Sequence, residues 1–519
     1  MPYRRACAKR GDGRKTLAMS ATLPVSRGKR ACVIGAGFGG LALAIRLQAA
    51  GVETVLVEAR DKPGGCAYFW ERDGFTFDAG PGAITDPDGL RSLWALTGHD
   101  MADHVELLPV TPFFRLNWTD GTSFDLTGDQ AALAREVARV APADLAGFEE
   151  FQLYCQTLVS EGQLRPGNLS VQDIAGLLRA VPVLARHQAW RSIHSLAASF
   201  VKDPHLREAL TFRTLLLGGN PFSASALLAA GHELEMSGGS WCAKGGTNRL
   251  VAGMVQQFER IGGVVRLHDP AVRIHTLGNR VTEVETQSGW RERFDAVASN
   301  ADLIHSYREL LCDSPRGTDM ARKLARRRWS PSLFIVHFGI EGSWPGIPHH
   351  TMLFGPRFKG LMDDVFDHGV LPADMALYLH HPSVTDPSLA PEGKSTFYAM
   401  LPVAHRGKLP IDWQAIGPML EKRVLDEVGR RLIPDIHDRI VTRFHYTPRD
   451  FALDLNAHNG SAFGLEPCLT QSGWLRPHHR DDKLANCFFV GAGTPSGAGI
   501  PAVLGGAKIA AGLMLEDLK

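Results

Sequence analysis

Residues 31–58 read ACVIGAGFGGLALAIRLQAAGVETVLVE, and this stretch decides the fold. Ala31 to Gly35 is a short apolar run of the kind that forms a buried strand. Gly35-Ala36-Gly37-Phe38-Gly39-Gly40 follows as G-x-G-x-x-G. Leu41, Leu43, Ala44, Ile45 and Leu47 then recur with a helical period, and Gly51 marks the end of that helix. Thr54 to Glu58 reads as a second strand. A β-α-β unit of this kind predicts a doubly wound parallel sheet. Gly35 serves the tight turn, Gly37 lets backbone approach a pyrophosphate, and Gly40 lets helix and strand pack closely. The helix N-terminus offers N–H groups to phosphate oxygens. Glu58 follows Gly40 by eighteen residues, where a carboxylate accepts both hydroxyls of a ribose. The motif alone fits NAD and FAD equally.

Two further stretches select FAD. Arg60-Asp61-Lys62-Pro63-Gly64-Gly65 follows directly on the ribose acid, and its tandem glycines let a second backbone segment run beside the diphosphate. Near the end, the apolar run Cys487 to Val490 leads through Gly491-Ala492-Gly493 and Gly497-Ala498-Gly499-Ile500-Pro501 into a helix, Val503 to Leu515. Such a strand and glycine-rich helix start suit a ribityl chain and a flavin ring. Phe294 to Asn300 reads as one more strand returning to the first sheet. The expected fold is α/β, a Rossmann-like FAD-binding domain with an inserted α+β substrate domain and a helical membrane-associating lobe. Residues 1–29 are expected to be a basic, disordered extension. The FAD-binding domain is expected from 30–110, 240–300 and 480–519, and the substrate and membrane-associating part from 111–239 and 301–479.

Composition narrows the function. Fifty-six basic residues against 55 acidic give a formal charge of +1, so no global field points to nucleic acid. The eight cysteines include no C-x-x-C pair, which fits neither a zinc ribbon nor a disulfide framework. The first thirty residues hold nine Lys or Arg and the single acid Asp12. They read either as a basic tail for membrane phosphates or, the preferred reading, as sequence upstream of a start at Met19. No run reaches the roughly 18 apolar residues of a spanning helix. Ile174 to Val201 mixes apolar residues with Arg179, Arg186, His187, Trp190, Arg191 and His194, which suits either interfacial or core helices. His349-His350, His380-His381 and His478-His479 fall in polar or Pro-rich stretches and are expected at the surface. No metal site is expected.

Taken together, RDKPGG (60–65), GFTFDAGP (74–81), ITDP (84–87), ELLPVTPF (106–113), LLLGGNPF (215–222) and KGGTNRLV (244–251) closely resemble the bacterial phytoene desaturases of carotenoid synthesis. So do VASNAD (297–302), LNAHNGSAF (455–463), RPHHRD (476–481) and GAGIP (497–501), and the resemblance runs from Lys29 to the end. It implies a fold similar to monoamine oxidases, FAD, peripheral attachment to the cytoplasmic face of a membrane, and oxygen or a quinone as electron acceptor. The implied reaction introduces double bonds into the long hydrocarbon phytoene on the way to lycopene. Relatives of the same architecture act on other carotenoids as desaturases, oxygenases or isomerases, and a non-catalytic carotenoid carrier is a further alternative.

By matching position, the resemblance puts Gly35, Ala36, Gly37, Phe38, Gly39, Gly40, Glu58, Ala59, Arg60, Lys62, Gly64, Gly65 and Cys66 around the dinucleotide. It puts Gly80, Pro81, Ile84, Gly491, Gly493, Gly499, Ile500 and Pro501 near the flavin, and Ala271 at the adenine. Arg179 is the candidate catalytic residue, with Asp173 close by; Asp454, Glu466 and Asp78 are further candidates. Three positions depart from the family pattern. Cys66 stands where an arginine is common, Pro495 where a histidine is common, and Cys242 where an aromatic residue is common, with Trp241 beside it as a substitute.

Overall fold

Strand β1 (Arg30–Ile34) is buried beyond its first residue, because Ala31, Cys32, Val33 and Ile34 are apolar on both faces, as an inner parallel strand must be. Helix α1 (Phe38–Ala49) starts directly after the glycine turn, and Gly51, at φ +85°, carries the chain away from it. Strand β2 (Glu53–Val57) returns parallel to β1 with Val33 beside Leu56. The structure is a computed structural model and describes residues 28–80, 82–161, 181–182 and 184–519. Most of the basic extension, Pro81, Asp173 and Arg179 lie outside the described residues.

Five parallel strands form the first sheet, in the order Cys487–Phe489, Ala296–Ser299, β1, β2 and Val264–Arg266. Its strands thus come from the start, middle and end of the chain. On one face α1, helix Thr247–Arg260 and the C-terminal helix Ile500–Asp517 bury Leu41, Ile45, Met254, Phe258, Leu504 and Met514. Each such side chain stabilises by about 1.5–3 kcal/mol when fully buried. A three-stranded antiparallel sheet covers the other face, with Ile274 and Val284 packing near Cys32. The C-terminal helix begins at Ile500, ahead of the expected Val503, because Pro501 sits in its first turn where no N–H is needed. The returning strand is shorter than Phe294 to Asn300 and spans Ala296–Ser299.

A second, seven-stranded sheet has the order Ile440–Tyr446, Ser332–Glu341, Lys394–Val403, Leu377–His380, His350–Leu353, Phe114–Asn117 and Ser123–Leu126. Its side chains alternate between two cores, as strand period requires. Phe334, Val336, Phe338, Leu379, Ala399 and Leu401 point to helix Trp413–Arg431 and bury Val424, Leu425 and Val428. The opposite face carries two cross-strand rows fixed by register. One is Met352, Tyr378, Met400, Ile335 and Tyr446; the other is His350, His380, Tyr398, His337 and Phe444. Helices Gln130–Val140 and Leu145–Glu161 and short helices up to Thr211 complete the core on that side. Among the described residues no helix is long and apolar enough to cross a membrane.

Candidate functional site

Close backbone approach builds the first half of the site. A Cβ on Gly40 would stand 1.9 Å from the carbonyl oxygen of Gly35, so α1 packs on the turn only with glycine there. The Gly64 N–H donates to the Ala36 carbonyl at 2.8 Å and Gly64 bridges Gly37, which lays the tandem-glycine segment against the first loop. A Cβ on Gly65 would lie 3.3 Å from the Gly37 Cα. Glu58 is fixed at the end of β2: its Oε2 accepts the Ala36 N–H at 2.7 Å and its Oε1 the Arg60 N–H at 2.9 Å. Lone pairs on both oxygens still serve hydroxyl donors.

These segments line one cavity of about 2410 Å³, more than twice the roughly 1,000 Å³ at the upper end of ordinary small-molecule pockets. Gly35, Gly37, Phe38, Gly39, Glu58, Ala59, Arg60, Gly64, Gly65, Cys66 and Ala271 line its glycine-rich part. Gly80, Gly491, Gly493, Gly499, Ile500 and Pro501 line it further in, where Tyr398 donates to the Gly80 carbonyl at 3.1 Å. Beyond them the walls turn apolar, with Leu210, Leu216, Leu227, Leu228 and Leu234 facing Ile335, Tyr378 and Met400. A glycine-rich channel anchored by a carboxylate, opening on a largely apolar chamber, has room for FAD and a long second ligand together.

Several expected residues stand elsewhere. Ala36 contributes backbone only, to Glu58 and Gly64. Lys62 does not line the cavity and lies over aromatic rings instead, its ammonium 4.3 Å from the Phe69 ring centre and 5.3 Å from that of Tyr68. Ile84 is buried in the first core and exchanges backbone hydrogen bonds of 2.8 and 3.0 Å with Trp241. Neither Cys242 nor Trp241 lines the cavity; both belong to the short strand Trp241–Ala243, so Trp241 does not replace the missing aromatic. Asp78 does not line the cavity and anchors a helix start: its Oδ1 accepts the Thr247 N–H at 3.0 Å, and burial pushes it up to about 6. Glu466 is tied to Arg328 at 2.8 Å. Asp454 does line the cavity, 3.5 Å from Arg60, and accepts the Tyr446 hydroxyl at 3.0 Å.

The sequence reading missed four groups. Asn300 follows strand Ala296–Ser299, and its side chain sits among glycines: a Cβ on Gly39 or Gly491 would come within 2.6 Å of its Oδ1. The chain shows this only as part of VASNAD. Arg213, nearly surrounded by the apolar chamber, pairs with Glu235 and lies 3.5 Å from His232 Nδ1; burial lowers it to about 9. Burial, with the Arg213 charge added, lowers His232 to about 3. Asp302 lines the cavity and accepts the Ile304 N–H at 2.8 Å, and burial raises it to about 6. Arg476 is buried and donates to the carbonyls of Ala492 (2.5 Å), Leu465 (2.6 Å) and Thr494 (3.4 Å). It thereby pins the glycine-rich turn to its neighbours.

The histidine pairs also depart from expectation. His349, His350, His380, His381 and His479 are buried, and only His478 of the six is partly exposed. His350 and His380 fall on inner strands of the second sheet, where both faces are covered. Burial without a counter-ion keeps such rings neutral; His337, on the same face, is lowered to about 3.

Fold and site together define a flavoprotein oxidoreductase. The chain belongs to the flavin-containing amine oxidoreductases, whose family model matches residues 38–515, and FAD is its cofactor. It is 50% identical over 500 residues to a lycopene-forming phytoene desaturase of a Paracoccus species, covering 96% of this chain and 99% of the relative. Against the lycopene-forming phytoene desaturase of Pantoea ananas it is 48% identical over 490 residues, covering 94% and 100%. A redesigned putrescine oxidase superposes with a TM-score of 0.62 at 15% identity, over 94% of this chain and 99% of that one, which shows the fold alone.

Proposed function

We propose that the protein removes hydrogen from phytoene, in successive steps toward lycopene, at the cytoplasmic face of a membrane. The observation that carries this reading is the continuity of the glycine-lined channel with the apolar chamber. The 48–50% identity to lycopene-forming phytoene desaturases points to phytoene as the hydrocarbon. Phytoene offers no polar handle, so its recognition rests on shape and on apolar area removed from water. Leu210, Leu216, Leu227, Leu228, Ile335 and Met400 supply that surface. Each desaturation removes a hydride from one carbon and a proton from its neighbour. When bound, FAD would supply the acceptor for the hydride and, in its two-electron-reduced dihydro form, for the proton as well. The glycines of the channel and Glu58 hold and orient the dinucleotide, and the apolar walls align the hydrocarbon and exclude water.

Peripheral membrane binding is part of the proposal. Leu153, Val181 and Trp190 are 63%, 48% and 63% exposed. Tyr154 donates to the His187 carbonyl at 2.8 Å, which brings helix Leu145–Glu161 beside that segment. An apolar surface of this kind next to Arg186 and Arg191 suits the interfacial layer of a bilayer. The same setting brings a quinone within reach as electron acceptor, with oxygen as the alternative.

The test is incubation of the FAD-loaded protein with phytoene in liposomes, with pigment extraction and liposome flotation. New, longer polyenes are expected, and the protein is expected to float with the vesicles. Unchanged phytoene alongside bound, oxidised FAD would overturn the desaturase reading. Protein that stays at the bottom of the gradient would overturn the membrane reading alone.

A further inference from the structure

On the cavity-facing side of the second sheet, His350 stands directly opposite His380 on the neighbouring strand. His349 precedes strand His350–Leu353 and turns to join them, its ring centre 4.4 Å from that of His350 and 4.8 Å from that of His380. All three are at most 3% exposed. One nitrogen of each lies within 4.8 Å of the other two. We propose that His349, His350 and His380 form a three-imidazole site for a divalent transition metal of the zinc type, which ties two strands together behind the aromatic wall of the cavity.

Four observations support the assignment. First, zinc–imidazole bonds of about 2.0–2.1 Å in tetrahedral geometry separate ligand nitrogens by roughly 3.3 Å; His349 Nε2 and His380 Nε2 stand 3.0 Å apart. Small side-chain rotations bring in the third ring. Second, two of the three outer ring nitrogens are held by oxygens: His349 Nδ1 lies 2.8 Å from Thr385 Oγ1 and His350 Nδ1 lies 2.7 Å from the Tyr378 hydroxyl, while His380 Nδ1 is buried with no hydrogen-bond partner among the described residues. Donation to those oxygens leaves both Nε2 lone pairs for a metal, the second-sphere pattern of ligating histidines. Third, His350 Nε2 is buried and has no hydrogen-bond partner among the described residues, so hydrogen bonding within the cluster does not account for it. Fourth, a Cβ at Gly82 would stand 2.5 Å from His380 Nε2, and Gly82 lines the cavity. Glycine there lets the cavity wall pack closely on that ring nitrogen, so the cluster lies directly behind the wall.

His381 takes no part. It stacks on Phe397 with ring centres 4.0 Å apart, and its Nδ1 is 2.9 Å from the Ile347 carbonyl. An all-imidazole donor set suits zinc, copper or nickel and disfavours magnesium and calcium. Water or hydroxide completes the zinc shell. The site is independent of which hydrocarbon the cavity accepts.

The experiment uses the full-length, FAD-loaded protein, dialysed first against zinc and then against metal-free buffer. Metal is counted by mass spectrometry, and zinc-edge X-ray absorption identifies the ligand atoms. The expected result is about one zinc per chain with a nitrogen and oxygen shell. His380→Ala and His349→Gln are expected to lose at least about nine-tenths of it while keeping FAD and a cooperative melt. A His478→Ala control is expected to keep it. Wild-type protein with less than about a tenth of a zinc per chain, a sulfur-containing shell, or undiminished zinc in both variants would overturn the proposal. Should a variant fail to fold, the wild-type stoichiometry and absorption spectrum decide.

Discussion

Arg213 and Glu235 bring two opposite charges into a largely apolar chamber. Removing one partner of a buried pair leaves the other uncompensated, at a cost of about 3–5 kcal/mol. Glu235→Leu is therefore expected to lose stability on that scale in urea denaturation. The double variant Arg213→Leu/Glu235→Leu is expected to recover most of it; a double variant as unstable as the single one would contradict the pairing. Cys66 gives a second prediction. It lies on the cavity wall beside Gly65, where a guanidinium could reach the diphosphate. Cys66→Arg is expected to tighten FAD binding to the apoprotein about 3- to 10-fold by titration, in line with one charge-assisted hydrogen bond. Unchanged or weaker binding would show that Arg60 already supplies the needed charge. At this scale Glu58 and the tandem glycines were legible, because their spacing has a geometric cause. Asn300, Arg213 and Arg476 were not: Asn300 meets glycines far away in the chain, and the nearer partners of Arg213 and Arg476 follow no motif or periodic spacing.

The elements that position the site depend on unlike forces. β1, α1 and β2 follow from apolar runs and glycine spacing, and the sequence reading differs from their observed bounds by a residue or so. The turn before the C-terminal helix depends instead on Arg476, whose guanidinium holds three carbonyls. Arg476→Ala is expected to cost about 2–4 kcal/mol, as hydrogen bonds from a charged donor contribute roughly 1.5–3 kcal/mol each without full additivity, and to weaken FAD retention in gel filtration. Arg476→Lys is expected to restore little, since an ammonium lacks the planar fork. A lysine variant with wild-type FAD retention would refute that account. The histidine rows show why some strands were harder to read. Pro348 and Pro382 flank the pairs, and polar dipeptides beside proline suggest loops. Burial on both faces, clear only from the sheet order, places them inside.

Across the whole molecule, buried histidines set the response to acid. His232 and His337 are lowered to about 3, and His405 and His479 to about 4, burial being the first cause for each. A depressed folded pKa contributes stability that is present above the unfolded value of about 6.5 and is lost as pH falls through the folded one. Asp78 and Asp302 act in the opposite sense: raised to about 6, they contribute most below about 3.8 and lose that contribution as pH rises to about 6. Every tenfold change in proton affinity on folding corresponds to about 1.4 kcal/mol, so four histidines outweigh two acids. The melting temperature is expected to fall steadily from pH 6.5 toward pH 4.5; a flat or rising profile would contradict it. At this scale the sequence made the parallel sheet and its discontinuous origin legible, whereas the seven-stranded sheet, built from pieces as distant as Phe114 and Tyr446, was not. In the proposed reaction, hydrocarbon in the apolar chamber would give hydride to a flavin held in the glycine channel. Anaerobic mixing of the FAD-loaded protein with phytoene in liposomes, followed by flavin absorbance, tests it most directly. Bleaching of the flavin with one new double bond per flavin reduced is the predicted result. A flavin that stays oxidised while phytoene is bound would contradict it.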